Sequence, residues 1–195
     1  MNHHLIYVPG LGDHKSYYQD TAIKFWRAYG LTPHYHAVVW REGDSFKPKL
    51  DKLLAEIDGY VASGDKVSFI GFSAGASAVL NAFAARRDKI NAVVCISGKI
   101  NHPENVSRRT NAENSAFKES LELLQENLSS FSKADKGKIL TIYPLRDQVV
   151  HHEDAIISGV REKRIPAWSH LTSIIYSLTI GSIGIIRFLK TRRSR

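Results

Sequence analysis

One cysteine in 195 residues, Cys95, excludes an internal disulfide framework and a cysteine-based zinc site, and is what a reducing compartment permits. Proline is scarce, at six residues, and no Pro/Gly-rich tract, internal repeat or low-complexity stretch divides the chain, so residues 1–195 read as a single domain. The phosphate-cradling patterns G-x-x-x-x-G-K-[ST] and G-x-G-x-x-G are missing. Long apolar runs are missing too. The nearest is Leu171 to Ile186, uncharged but diluted by Thr172, Ser173, Ser177, Thr179 and Ser182. As a helix it spans about 24 Å against a hydrocarbon core of about 30 Å. Leu171, Ile174, Ile175, Leu178, Ile185 and Leu189 fall on one helical face, so a packed terminal helix is expected, with membrane attachment through residues 171–195 as its rival. Leu5–Val8 is too short for the apolar region of a signal peptide and no cationic segment precedes it, so a cytoplasmic location is expected.

The net charge is +8, but five of the 27 Lys and Arg residues are Arg187, Lys190, Arg192, Arg193 and Arg195, with no acid among them, and the rest of the chain is close to balance. That pattern fits a solvated helix end, and no nucleic-acid partner is expected. Hydrophobic residues at 43% and charged residues at 24% are ordinary for a globular fold.

Short apolar runs alternate with stretches of helical period. Leu5–Val8, Ala37–Trp40, Val67–Ile70, Ala92–Ile96 and Ile139–Tyr143 have strand character, and Val160–Ile165 suits a short charged edge strand. Between them, Tyr17 to Tyr29, Leu50 to Val61 and Ala76 to Ala84 recur at helical spacing. Strands too apolar to have a wet face, alternating with helices, predict an α/β fold with a parallel sheet covered on both sides. The stretch from Lys99 to Lys136 is longer than one crossover needs and predicts a small cap-like insertion over one end of the sheet.

Strand Val67–Ile70 runs into Gly71-Phe72-Ser73-Ala74-Gly75 and then a helix. A strand-to-helix reversal this tight leaves no space for Cβ atoms beside the serine, lifts its Oγ clear of the sheet and aims helix N–H groups at the same point. A serine nucleophile needs a base and a group to orient it, and in a parallel sheet both are expected in loops after later strands. Asp147 follows strand Ile139–Tyr143, and His170 follows the last strand, just before the terminal helix. Rivals fit less well. His151 and His152 beside Glu153 and Asp154 have no metal-ligand spacing and read as a helix start, so no metal site is expected. His3, His4, His34, His36 and His102 lie outside the late loop expected of the base, Cys95 is mid-strand, and Asp13 suits a helix N-cap.

With these residues the chain resembles a small α/β-hydrolase of the serine esterase and lipase kind over almost its whole length. The resemblance rests on Gly71-Phe72-Ser73-Ala74-Gly75, on Asp147 within Arg146-Asp147-Gln148-Val149-Val150, on Ser169-His170, on the chain order Ser, Asp, His, and on the early loop Pro9-Gly10-Leu11-Gly12. It implies a three-layer sandwich with a mostly parallel sheet of about six strands, Ser73 as nucleophile, Asp147 as acid, His170 as base, and the Leu11 and Ala74 N–H groups as an oxyanion hole. Pro9 departs from the histidine that many members carry before the glycine, and the two N-terminal antiparallel strands are missing. Gly10, Asp13, His14, Phe72 and Trp168 are candidate substrate contacts. The function implied is hydrolysis of a carboxylic ester or related acyl bond on a small-molecule acyl substrate, without a cofactor. A protein of another class on the same fold, non-catalytic and binding a small molecule or associating with a membrane through its basic C-terminal helix, is the alternative.

Overall fold

A computed structural model describes residues 1–12, 17–41 and 45–191. Six strands form one parallel sheet: β1 (His3–Val8), β2 (Thr32–Tyr35), β3 (Lys66–Phe72), β4 (Ile90–Ile96), β5 (Ile139–Pro144) and β6 (Arg161–Ile165), in the order β2-β1-β3-β4-β5-β6. Strand β1 is followed on one side by β2 and on the other by β3, so the connections diverge there and leave a crevice at the carboxyl ends of β1 and β3.

Both faces of the sheet are dry, which is why its strands read as continuous apolar runs. Ile6, Val8, Phe69, Val93 and Cys95 point to one layer, built from α2 (Phe46–Ala62), α3 (Gly75–Ala85) and α5 (Ser115–Leu128). Leu5, Tyr7, Ile70, Val94 and Ile96 point to the other, built from α1 (Tyr17–Lys24), the 3-10 turn Phe25–Tyr29, α8 (His170–Leu178) and α9 (Ser182–Lys190). Edge strand β6 exposes Arg161 to Arg164 and buries only Ile165, the pattern expected of a charged edge.

Two expectations need correction. The second strand is Thr32–Tyr35, not Ala37–Trp40: Pro33 is tolerated because β2 is an edge paired only with β1. Val39 has φ of 60°, which no strand can accommodate, and the apolarity of 37–40 reports burial, with Trp40 stacked on Phe46 and edge-on to Phe117. The terminal segment is two helices bent by 64° and not one. The Gly181 N–H turns back onto the Tyr176 carbonyl at 2.7 Å, and a Cβ there would come within 2.7 Å of the Tyr176 ring. Ile174, Leu178, Ile185 and Leu189 are buried as the stripe requires, whereas Leu171 and Ile175 face solvent. Among the described residues no single helix is long and apolar enough to cross a membrane.

Between β4 and β5 the chain makes a 3-10 turn (Pro103–Asn105), α4 (Arg108–Glu113), α5 and α6 (Lys133–Gly137). Helix α5 is fixed to α3 by buried polar contacts: Asn81 Nδ2 donates to the Ser120 carbonyl at 2.8 Å, and Ser120 Oγ donates to Ser77 Oγ at 2.7 Å. Before α5, Asn105, Val106, Ser107 and Thr110 line a cavity together with Ser73 and Ala74, which follow β3.

Candidate active site

Ser73 sits between β3 and α3 with φ of 53°, a left-handed conformation that costs a serine about 1–3 kcal/mol and persists only when its surroundings dictate it. Its N–H donates to the Ile96 carbonyl at 3.1 Å, and its own carbonyl accepts from the Lys99 and Ala76 N–H groups, each at 3.1 Å. The glycines are there for space. A Cβ on Gly75 would collide with the Val8 carbonyl and lie 2.6 Å from the Pro9 oxygen. A Cβ on Gly10 would lie 3.0 Å from Ser73 Cβ and 3.4 Å from its Oγ. The loop after β1 therefore packs directly on the serine.

The loops after β5 and β6 are tied by the Leu145 N–H donating to the Ala167 carbonyl at 2.9 Å, which brings Asp147 to His170. Asp147 Oδ2 is 2.9 Å from His170 Nδ1, while Oδ1 accepts from the Val149 N–H at 2.8 Å and the Val150 N–H at 3.0 Å. Both side chains are largely buried. Burial works to raise the Asp147 carboxyl, but the His170 hydrogen bond and the Val150 and Val149 N–H groups outweigh it and hold the group below its ordinary value. An ionised carboxylate only accepts, so Nδ1 carries a proton, and the lone pair of the neutral imidazole is then on Nε2.

His170 opens α8 behind a capping box in which Ser169 accepts from the Thr172 N–H. Ser173 Oγ donates to the His170 carbonyl at 2.7 Å and, its proton so committed, accepts from Ser97 Oγ at 2.7 Å. Both hydroxyl residues are fully buried. The Phe72 ring packs on the imidazole with centroids 4.7 Å apart, so a neighbour of the serine touches the histidine. Among the described residues no hydrogen bond joins Ser73 Oγ to His170; such contacts often close only when substrate is bound.

Ser73 opens into a cavity of about 320 Å³ lined also by Leu11, Ala74, Lys99, Val106, Phe117, Val150 and His151. Among the described residues the Leu11 and Ala74 N–H groups are not donated to any backbone carbonyl. At the cavity wall Lys99 Nζ lies 2.8 Å from Asp154 Oδ2, an ion pair buried on both sides. Among the described residues Lys99 Nζ has no polar partner beyond this carboxylate. A larger groove of about 760 Å³ lies away from this chemistry, between α1 and the α8–α9 bend.

Of the candidate substrate contacts, Gly10 touches Ser73 and Phe72 touches His170. Trp168 is 72% exposed and lies in a shallow groove with Ile175 and Ile180, apart from the Ser73 cavity. Asp13 and His14 lie outside the described residues. His151 stands just ahead of the short helix α7 (His152–Ala155), and among the described residues no three His, Cys, Asp or Glu side chains converge as metal ligands. Sequence reasoning missed Ser97, Ser173 and the Lys99–Asp154 pair. Only position could have suggested Ser97 and Lys99, which follow β4 at the same sheet edge as Ser73.

No family model and no curated protein matches the sequence. The fold matches many solved structures. The chain superposes on a monoacylglycerol lipase from Paleococcus ferrophilus with a TM-score of 0.64 at 14% identity, covering 95% of this chain and 93% of that one. A carboxylesterase structure from the thaumarchaeon Nitrososphaera gargenis gives 0.66 at 14% identity, covering 95% and 91%. A putative hydrolase of the α/β superfamily from Xanthomonas campestris gives 0.65 at 12% identity, covering 96% and 98%. The chain has the α/β-hydrolase fold, and solved structures it is similar to include esterases, lipases and other hydrolases.

Proposed function

We propose that the chain is a serine hydrolase that cleaves a carboxylic ester or related acyl bond of a small molecule through an acyl-enzyme on Ser73. What carries this reading is the strained serine between β3 and α3 at the sheet edge where Asp147 and His170 pair at 2.9 Å. His170 Nε2 takes the Ser73 proton as Oγ attacks the acyl carbon. Asp147 keeps the proton on Nδ1 and stabilises the imidazolium that forms. The Leu11 and Ala74 N–H groups, with the amino end of α3, receive the charge on the tetrahedral intermediate's oxygen. His170 then protonates the leaving group, and the same base activates the water that releases the acyl group. The residues between β4 and α5 act as a small cap, and the 320 Å³ cavity beneath them suits a short acyl or alcohol portion.

A fluorophosphonate probe tests the nucleophile: it should label the wild type and not Ser73→Ala. Turnover of p-nitrophenyl esters of increasing chain length should be fastest for short acyl groups. Absence of labelling together with absence of turnover across the series would favour the non-catalytic alternative.

A further inference from the structure

The surface formed by α1, the Phe25–Tyr29 turn and the α8–α9 bend is apolar where a soluble protein is ordinarily polar. Tyr17 is 84% exposed, Phe25 72% and Ile180 79%, and these residues share the 760 Å³ groove with Tyr18, Tyr29 and Leu178. Thr179 and Ile180 also line the neighbouring shallow groove that holds Trp168 and Ile175, so the apolar surface continues to within two residues of His170. Helix α8 inverts the usual pattern: its solvent side carries Leu171, Thr172 and Ile175 and no charge. Patches of this extent mark interaction sites.

The charge beside this surface says what covers it. Lys190 Nζ donates to the Tyr29 carbonyl at 2.7 Å, which seats a cation on the rim of the aromatic groove. The sequence beyond it adds Arg192, Arg193 and Arg195 without an acid. Helix α9 shows the same gradient along its exposed side, from Ile183 near the bend to Arg187 and Lys190 at the far end. We propose that this face docks on the surface of an anionic lipid bilayer. The 64° bend makes α8 and α9 a surface elbow with Ile180 at its corner, held to the turn after α1 by Trp26 Nε1 donating to the Leu178 carbonyl at 3.1 Å. Aromatic and aliphatic side chains enter the headgroup boundary while Arg187 and Lys190 meet anionic headgroups.

Vesicle flotation of the full chain tests this without reference to catalysis, and is run on Ser73→Ala as well as on the wild type. Both should float with phosphatidylcholine vesicles containing phosphatidylserine and not with phosphatidylcholine alone. Phe25→Ser combined with Ile180→Ser removes two largely exposed side chains, should leave thermal unfolding unchanged, and should weaken binding at least about tenfold. Ending the chain at Thr191 removes three arginines and should weaken binding roughly 100-fold. The proposal is overturned by no flotation with either vesicle or by flotation that the Phe25/Ile180 variant leaves intact. It is equally overturned by a dimer in light scattering that the same variant dissociates, which would make the face a contact between copies. Flotation with no ester turnover would uphold the docking and sink the hydrolase reading alone.

Discussion

The Lys99–Asp154 pair makes a quantitative claim about stability. Its side chains are 8% and 3% exposed, so removing one partner strands the other, largely buried, without a counter-charge. Asp154→Ala leaves an ammonium with no counter-charge, and breaking a buried pair in this way costs about 3–5 kcal/mol. The substitution also removes the acceptor of the Asn105 Nδ2 bond at 3.2 Å, worth about 1 kcal/mol more. At roughly 2–4 °C per kcal/mol for a chain of this size, the combined loss of about 4–6 kcal/mol should lower Tm by about 8–24 °C. Replacing both partners, Lys99→Met with Asp154→Leu, removes the stranded charge as well, and Tm should recover to within a few degrees of wild type because a buried pair and an apolar one are nearly equivalent. Circular dichroism melts in low and high salt provide the assay, and the loss should persist in high salt because the pair is shielded from mobile ions. A fall of less than about 3 °C for Asp154→Ala, or a double variant melting no higher than the single one, would refute the reasoning.

Gly75→Ala should destabilise by roughly 1–3 kcal/mol or more, because both atoms its Cβ meets first are backbone carbonyl oxygens of the β1 exit. Gly59→Ala in α2, whose Cβ meets nothing within 4 Å, should instead stabilise by about 0.5–1 kcal/mol; paired melts check both signs. Ser73→Ala and His170→Ala should each abolish most ester turnover, with the double variant hardly worse, since the two act as one unit; additive losses in kcat would dissolve the assignment. Asp147 is held below its ordinary value, so the unfolded chain binds more protons there and stability rises with pH across that window. The contribution is complete above the unfolded carboxylate pKa of about 3.9 and fades as pH falls through the lower folded value. The Tm deficit of Asp147→Asn should therefore shrink on acidification below about pH 4; a deficit that stays constant would contradict it.

What was legible in the sequence was whatever local chemistry dictates. Strands β1, β3, β4 and β5 showed as apolar runs because both sheet faces are buried, and the tight strand-to-helix turn at Ser73 showed because Gly71 and Gly75 leave space that no other residue could. Strand β2 was hidden because Thr32-Pro33-His34-Tyr35 is neither continuously apolar nor free of proline, while Ala37–Trp40 imitates a strand by being buried under α2 and α5. The break in the terminal helix escaped because Gly181 is tolerated within helical patterns, and only the return of its N–H to Tyr176 shows that the helix stops. Ser97, Ser173 and the Lys99–Asp154 pair join residues more than fifty positions apart, a relation without local periodicity.

Ser73 and His170 are held by different means. The serine is fixed by backbone: Ile96 and Lys99 clamp its peptide groups, Gly10 closes on its Cβ, and the strain at φ of 53° is sustained by the sheet itself. His170 stands on the first turn of a helix whose next residue, Leu171, is exposed; its imidazole is held by Asp147 and the Phe72 ring, and its carbonyl by the Ser173 hydroxyl, which Ser97 supports. Substitutions around Ser73 must therefore disturb β1, β3 and α3 together and should register first as lost stability. Substitutions such as Ser97→Ala should loosen the first turn of α8, which carries the imidazole, while leaving the sheet intact, and in the proposed hydrolase should register first as lost kcat, since a histidine misplaced by an ångström costs about a hundredfold in rate.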